Sequence, residues 1–146
     1  MISLDLPLID LHRHLEGNVR PETVFDLRKQ HGLPLPVDNP ADFRRYVQVN
    51  EPQPGLLAFF EKFDWVTGAL ADTAACERIA YESVIDGKAE GLDYFELRFS
   101  PLFMAGPHGL DPVGVAEAVV AGIERGKADA GIPCGLIGIM SRTFGP

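Results

Sequence analysis

Three short stretches of this chain carry strand patterning, and the stretches between them carry helix patterning. Leu8-Ile9-Asp10-Leu11-His12-Arg13-His14 alternates, with Leu8, Ile9 and Leu11 on both faces, as in a strand covered on both sides. Tyr94-Phe95-Glu96-Leu97-Arg98-Phe99-Ser100 alternates again and is rich in aromatic residues, with Pro101 closing it. Gly135-Leu136-Ile137-Gly138-Ile139-Met140-Ser141 is the third strand. The order strand, helices, strand, helix, strand restricts the chain to an α/β fold with parallel strands and right-handed crossovers.

The helices are punctuated in the usual ways. Pro21-Glu22-Thr23 opens one that runs to about His31, where Gly32 and Pro34 stop it. Residues 33 to 54 are irregular and proline-rich, with a short helix around Ala41–Val47. Leu56 to Trp65 is a bulky apolar helix in which Leu56, Phe59, Phe60 and Phe63 fall at i, i+3, i+4 and i+7, the spacing of a core face. Asp72-Thr73 starts a longer helix with Cys76, Ile79, Ala80, Ser83 and Val84 as its buried stripe, and Gly91 ends it. Another helix spans about Pro112 to Ala128, with Ala116, Val119, Val120 and Ile123 inward. Three strands of this kind would leave the first and third as open edges. The expectation is one partial domain over residues 1–146, part of a larger α/β fold.

Composition excludes several functions. A formal charge of -8, with no long Lys/Arg block, argues against a surface that tracks nucleic-acid phosphates. No apolar run approaches the roughly 20 residues of a membrane span, and no secretory leader is visible. The two cysteines, Cys76 and Cys134, sit singly in apolar segments and read as buried, reduced thiols of a cytoplasmic protein.

The chemistry concentrates at His12-Arg13-His14. Side chains at i and i+2 share a strand face, so His12 and His14 point the same way, with Asp10 on that side too. Their Cα atoms would lie about 7 Å apart at a rise of roughly 3.3 Å per residue, close enough for both imidazoles to close on one metal. An H-x-H pair alone also occurs on surfaces and in cores. Here it ends the first strand, where parallel α/β folds place their active sites. His31, at a helix end, and His108, in a Gly/Pro loop, read as surface residues.

Leu11-His12-Arg13-His14-Leu15-Glu16-Gly17-Asn18, followed by Arg20-Pro21-Glu22-Thr23, resembles the opening motif of the adenosine deaminase family. Phe59-Phe60-Glu61-Lys62-Phe63-Asp64-Trp65 is similar to the family's F-L-x-K-F-D helix. Tyr94 to Pro101 is similar to its Y-x-E-x-R-x-S-P strand, and Ile139-Met140-Ser141-Arg142-Thr143-Phe144-Gly145 to the end of its third strand in bacterial members. The four motifs are collinear and span nearly the whole chain.

The resemblance implies a metal-dependent (β/α) TIM-type barrel of eight strands, of which this chain supplies roughly the first three. It implies one zinc ion, held by His12 and His14 with a third histidine and an aspartate. It implies hydrolytic deamination of adenosine and deoxyadenosine to inosine and ammonia in purine salvage. The family's acid/base residues lie on later strands, which places them beyond Pro146. No catalytic residue is therefore expected within the chain, and the chain alone would be inert unless a second chain carries the rest of the barrel. His14, Glu16, Phe59 and Phe63 are the expected substrate-binding residues, with the helix of Phe59 and Phe63 lidding the cavity. Glu16 stands where the family's adenosine deaminases carry aspartate, and glutamate there is familiar in adenine deaminases, which take the free base. Arg98, Ser100 and Glu96 on the second strand either face the barrel or pair structurally, a structural ion pair being the expectation, and Met140 either touches the purine or packs.

Overall fold

The computed structural model describes residues 6–52 and 55–140, with Leu56, Leu57 and Ala58 described by backbone alone. The opening residues 1–5, Pro54 of the irregular segment, the third strand's end at Ser141, the motif over 141–145 and Pro146 lie outside the described residues.

The three strands are β1 (Ile9–His14), β2 (Tyr94–Phe99) and β3 (Cys134–Gly138). They form one parallel sheet in the order β1-β2-β3. The first connection carries α1 (Pro21–Gln30), α2 (Pro40–Val47), α3 (Leu56–Thr67) and α4 (Thr73–Ala89). The second carries α5 (Pro101–Ala105) and α6 (Pro112–Ala130). On β2 the cover is one-sided. Phe95, Leu97 and Phe99 are buried, while Tyr94, Glu96 and Arg98 on the other face are half-buried. That is the asymmetry of a barrel wall, with helices outside and polar groups inside, rather than of a doubly wound sheet. The expected α/β barrel architecture therefore holds for these three strands.

Most element ends follow local chemistry. Asn39, Asp72 and Asp111 cap α2, α4 and α6 by accepting from backbone amides in the first turn. Gly32, Gly91 and Gly131 follow α1, α4 and α6 at φ 63, 83 and 64°, left-handed conformations that favour glycine. Pro101 does not merely close β2. It opens α5, whose first turn is capped by the Ser100 hydroxyl accepting from Phe103 N at 3.3 Å.

The expected stripe on α4 is buried: Cys76, Ile79, Ala80, Ser83 and Val84. On α6 the register differs. Val115, Val119, Gly122, Ile123 and Gly126 are buried, Ala116 is half-buried, and Val120 is 47% exposed. The cause is a close approach of α4 and α6. A Cβ on Gly122 would stand 2.3 Å from the Glu77 carbonyl oxygen, and one on Gly126 2.7 Å from Val84 Cβ. The helix turns its glycines, not its valines alone, onto its neighbour. β1 is an open edge, as expected of the first strand of a partial sheet, and its apolar residues are not covered on both faces. It pairs with β2 alone among the described residues, and Leu8, Ile9 and Leu11 are 45, 50 and 56% exposed.

Both cysteines are buried and unpaired, and burial pushes the Cys76 thiol up to about 12 and the Cys134 thiol up to about 11. Among the described residues no helix is long and apolar enough to cross a membrane.

Because the Glu77 carbonyl is backbone and cannot swing aside, Gly122→Ala is expected to force α4 and α6 apart. A loss of about 1–3 kcal/mol is expected, as for overpacked cores. Urea titration reads it, and an unchanged midpoint would sink this account of the helix contact.

Candidate metal centre

β1 is not a regular strand. Ile9 pairs with Tyr94 and Asp10 with Phe95, but Arg13 pairs with Leu97 and His14 with Arg98. Between Asp10 and Arg13, β1 advances three residues while β2 advances two, so β1 carries a bulge at Leu11-His12. The bulge breaks the strict alternation. Asp10 and Arg13 align with Phe95 and Leu97 on the helix-covered face, whereas His14 aligns with Arg98 on the other. Asp10 therefore does not share the histidine face, contrary to the two-residue periodicity.

The histidines do come together. Their ring centroids are 5.4 Å apart, with the rings tilted by 39°. Tetrahedral ligation with metal–nitrogen bonds of about 2.0–2.1 Å holds two imidazole centroids about 5 Å apart, so the pair fits one zinc ion. Among the described residues, no group of three or more His, Cys, Asp or Glu side chains could hold a metal. Burial first, then the neighbouring His12 and Arg98, hold the His14 imidazole below the ordinary histidine value. That favours the neutral, metal-ligating form.

Glu16 sits in the 3-10 turn Leu15–Gly17 that follows β1 directly. It is 3% exposed, and its Oε1 accepts from Ser100 N at 2.7 Å. Burial raises its carboxyl above the usual glutamate range, and the Ser100 amide offsets part of that rise. Glu16 is thus no solvated loop acid. It ties the end of β1 to the end of β2.

His14 and Glu16 open onto a cavity of about 850 Å³, within the size range of small-molecule sites. Phe59, Phe60, Phe63, Phe103 and Ile139 give it apolar walls. Core spacing suggests burial for the α3 aromatics. Instead Phe59 and Phe60 are 36 and 48% exposed, and both line the cavity with Phe63. Phe59 and Phe63 stack edge-on at 5.2 Å. The α3 helix thus turns its aromatics to the cavity while Val66 and Thr67 at its end are buried.

The expected ion pair on β2 is not formed among the described residues. Glu96 accepts from the Tyr94 hydroxyl at 3.0 Å, Ser100 caps α5, and the buried Nε of Arg98 has no hydrogen-bond partner among the described residues. The reason is the face they occupy: Arg98 lies beside His14, not against a helix. Met140 is 86% exposed, so it is not packed among the described residues. His108 is exposed, with Nε2 3.0 Å from the Gly68 carbonyl. His31 is half-buried and lies 3.5 Å from Asp72, so it is less superficial than expected. Sequence reasoning missed Phe103 and Ile139 as cavity walls. Their only sequence signal is position, each just beyond a strand end.

The Glu16 bond has a measurable consequence. Glu16→Gln keeps a carbonyl acceptor for Ser100 N and is expected to unfold near the unmodified protein. Glu16→Ala leaves that buried amide unsatisfied and is expected to lose roughly 1–3 kcal/mol in urea titrations. Equal midpoints for the alanine variant and the unmodified protein would refute the bond's role.

Comparison with protein families matches residues 7–146 to the adenosine deaminase family. The chain is 51% identical over 145 residues to the adenosine deaminase of Pseudoalteromonas translucida, and 53% identical to that of Aliivibrio fischeri. Each match covers 99% of this chain and 44% of the relative, so the chain spans less than half the length of these curated relatives. Among solved structures, the adenine deaminase of Arthrobacter aurescens superposes with TM-score 0.77 at 20% identity, over 90% of this chain and 39% of that one. At that identity it speaks for the fold alone. Arabidopsis ADAL complexed with GMP superposes with TM-score 0.72 at 27% identity, over 94% of this chain and 41% of that one. With the family match running from just before β1 to Pro146, this chain belongs to the adenosine deaminase family.

Proposed function

We propose that the protein containing this chain is a zinc-dependent hydrolase that deaminates adenosine and deoxyadenosine to the inosine nucleosides, with release of ammonia, in purine salvage. The observation that carries this reading is the His12–His14 pair, spaced for one zinc ion and set beside an apolar cavity of about 850 Å³. Relatives named adenosine deaminase, 51 and 53% identical over nearly all of this chain, support it. The acid/base residues expected beyond Pro146, and the remaining metal ligands, would come from the part of the relatives' length that this chain does not span, or from a second chain. Buried, unpaired thiols are consistent with a reducing, cytoplasmic setting.

In this reading His12 and His14 hold the zinc through neutral ring nitrogens. Bound zinc would supply a water acidified enough to act as nucleophile near neutral pH. Phe59 and Phe63 pack on the purine and exclude bulk water, which strengthens the electrostatics of the site. His14 and Glu16 both line the cavity, and the Glu16 oxygen not engaged by Ser100 would accept from a substrate hydroxyl. Water adds at the amino-bearing ring carbon and ammonia departs, so the net reaction is hydrolysis of one C–N bond.

A second reading, deamination of free adenine, is favoured by one observation. Glu16 is one methylene longer than the family's aspartate and buries its carboxylate at the cavity wall, where it would occupy space a ribose needs. Incubating the intact protein with each substrate and following the purine absorbance decides between them. Adenosine is expected to be consumed. Turnover of adenine with none of adenosine would reverse the assignment. The 146 residues on their own, with only half a metal site, are expected to show no deamination after zinc loading, and measurable turnover would contradict that division of the site.

A further inference from the structure

The geometry points to Asp10 and Arg13 as positioning residues that build the β1 bulge and so set the spacing of His12 and His14 toward one metal ion. The inference rests on the zinc reading above. Asp10 reaches both sides of the bulge: Oδ1 accepts from His12 N at 3.0 Å and Oδ2 accepts from Arg13 Nε at 2.9 Å. The amide at the bulge thereby has a side-chain acceptor. Arg13 is then anchored to the scaffold. Its Nη2 donates to Glu90 Oε2 at 2.6 Å, just beyond the last turn of α4, and its guanidinium lies 5.8 Å from the Phe95 ring centroid. Nη1 reaches Asn18 Oδ1 at 3.5 Å.

Without the bulge, the two-residue period would put Asp10, His12 and His14 on one face and Arg13 on the opposite one. Asp10 would then face the cavity side, and Arg13 could not span Asp10 and Glu90. With the bulge, Arg13 enters the helix side and is only 15% exposed in its side chain. His14 then stands on the cavity side beside Arg98. The middle residue of H-x-H is therefore part of the pair's support: its side chain runs to Asp10 and Glu90, while the residue also borders the cavity that His14 lines. A lysine at position 13 would serve Asp10 or Glu90 but lacks the fork that serves both.

The test uses the intact protein. Zinc affinity is measured by chelator competition, and ligand geometry by the visible spectrum of the cobalt-substituted form. Asp10→Ala and Arg13→Lys are compared with Arg125→Ala, which removes an ion pair to Glu77 on the outer helices. Asp10→Ala and Arg13→Lys are expected to weaken zinc binding about 10-fold or more and to alter the cobalt spectrum, as losses of ligand-orienting contacts do. Arg125→Ala is expected to change neither. Unmodified affinity and spectrum in a folded Asp10→Ala protein would overturn the inference. Should that variant not fold, the milder Arg13→Lys decides in the same way, for or against. The zinc reading fails separately: His12→Ala and His14→Ala would then leave the zinc content of the protein unchanged.

Discussion

The carboxylate of Glu16 is buried where β1 and β2 end side by side, and its bond to the Ser100 amide joins the parts of the structure that face the cavity. Burying a carboxylate is costly unless its oxygens are matched, and the backbone amide supplies that match. Ser100 also caps α5, which brings Phe103 to the cavity wall. On the Glu16 side, the same turn fixes the position of His14 two residues earlier. One hydrogen bond thus relates the histidine strand, the second strand and the apolar wall. The Glu16 side chain spans the distance from the turn after β1 to Ser100 at the end of β2. The residue that raises the question of nucleoside or base is also a tie within the scaffold.

The sequence made the outline of the fold legible because its signals are local. The helix start at Asp72, the glycine stops after α1 and α4, and the stripe on α4 all read directly from neighbouring residues. The H-x-H pair was legible for the same reason. What escaped depends on contacts between distant segments. Val120 reads as inward by period alone, yet the approach of α6 to α4 is decided by how close two glycines let the backbones come. Asp10 reads as a companion of His12 and His14, yet the pairing register with β2 sends it to the other face. The phenylalanines of α3 keep core spacing whether they meet a core or a cavity, so periodicity could not separate the two.

The scaffold and the site are continuous through one line of contacts. Gly122 and Gly126 let α6 press against α4 at Glu77 and Val84. One turn further along α4, Gly87 lets the helix approach β2, for a Cβ there would stand 2.8 Å from the Phe95 ring. Phe95 in turn lies beneath the guanidinium of Arg13, which Glu90 holds from just beyond the C-terminal end of α4. Arg13 holds Asp10, and Asp10 holds the amide of His12. Each link is a steric or hydrogen-bonded contact with little freedom, because small residues set the backbone distances and charged pairs fix the orientation. Positioning of this kind suits a metal pair, whose geometry must be kept within fractions of an ångström. The histidines are thus held as a pair from the helix-covered face behind them.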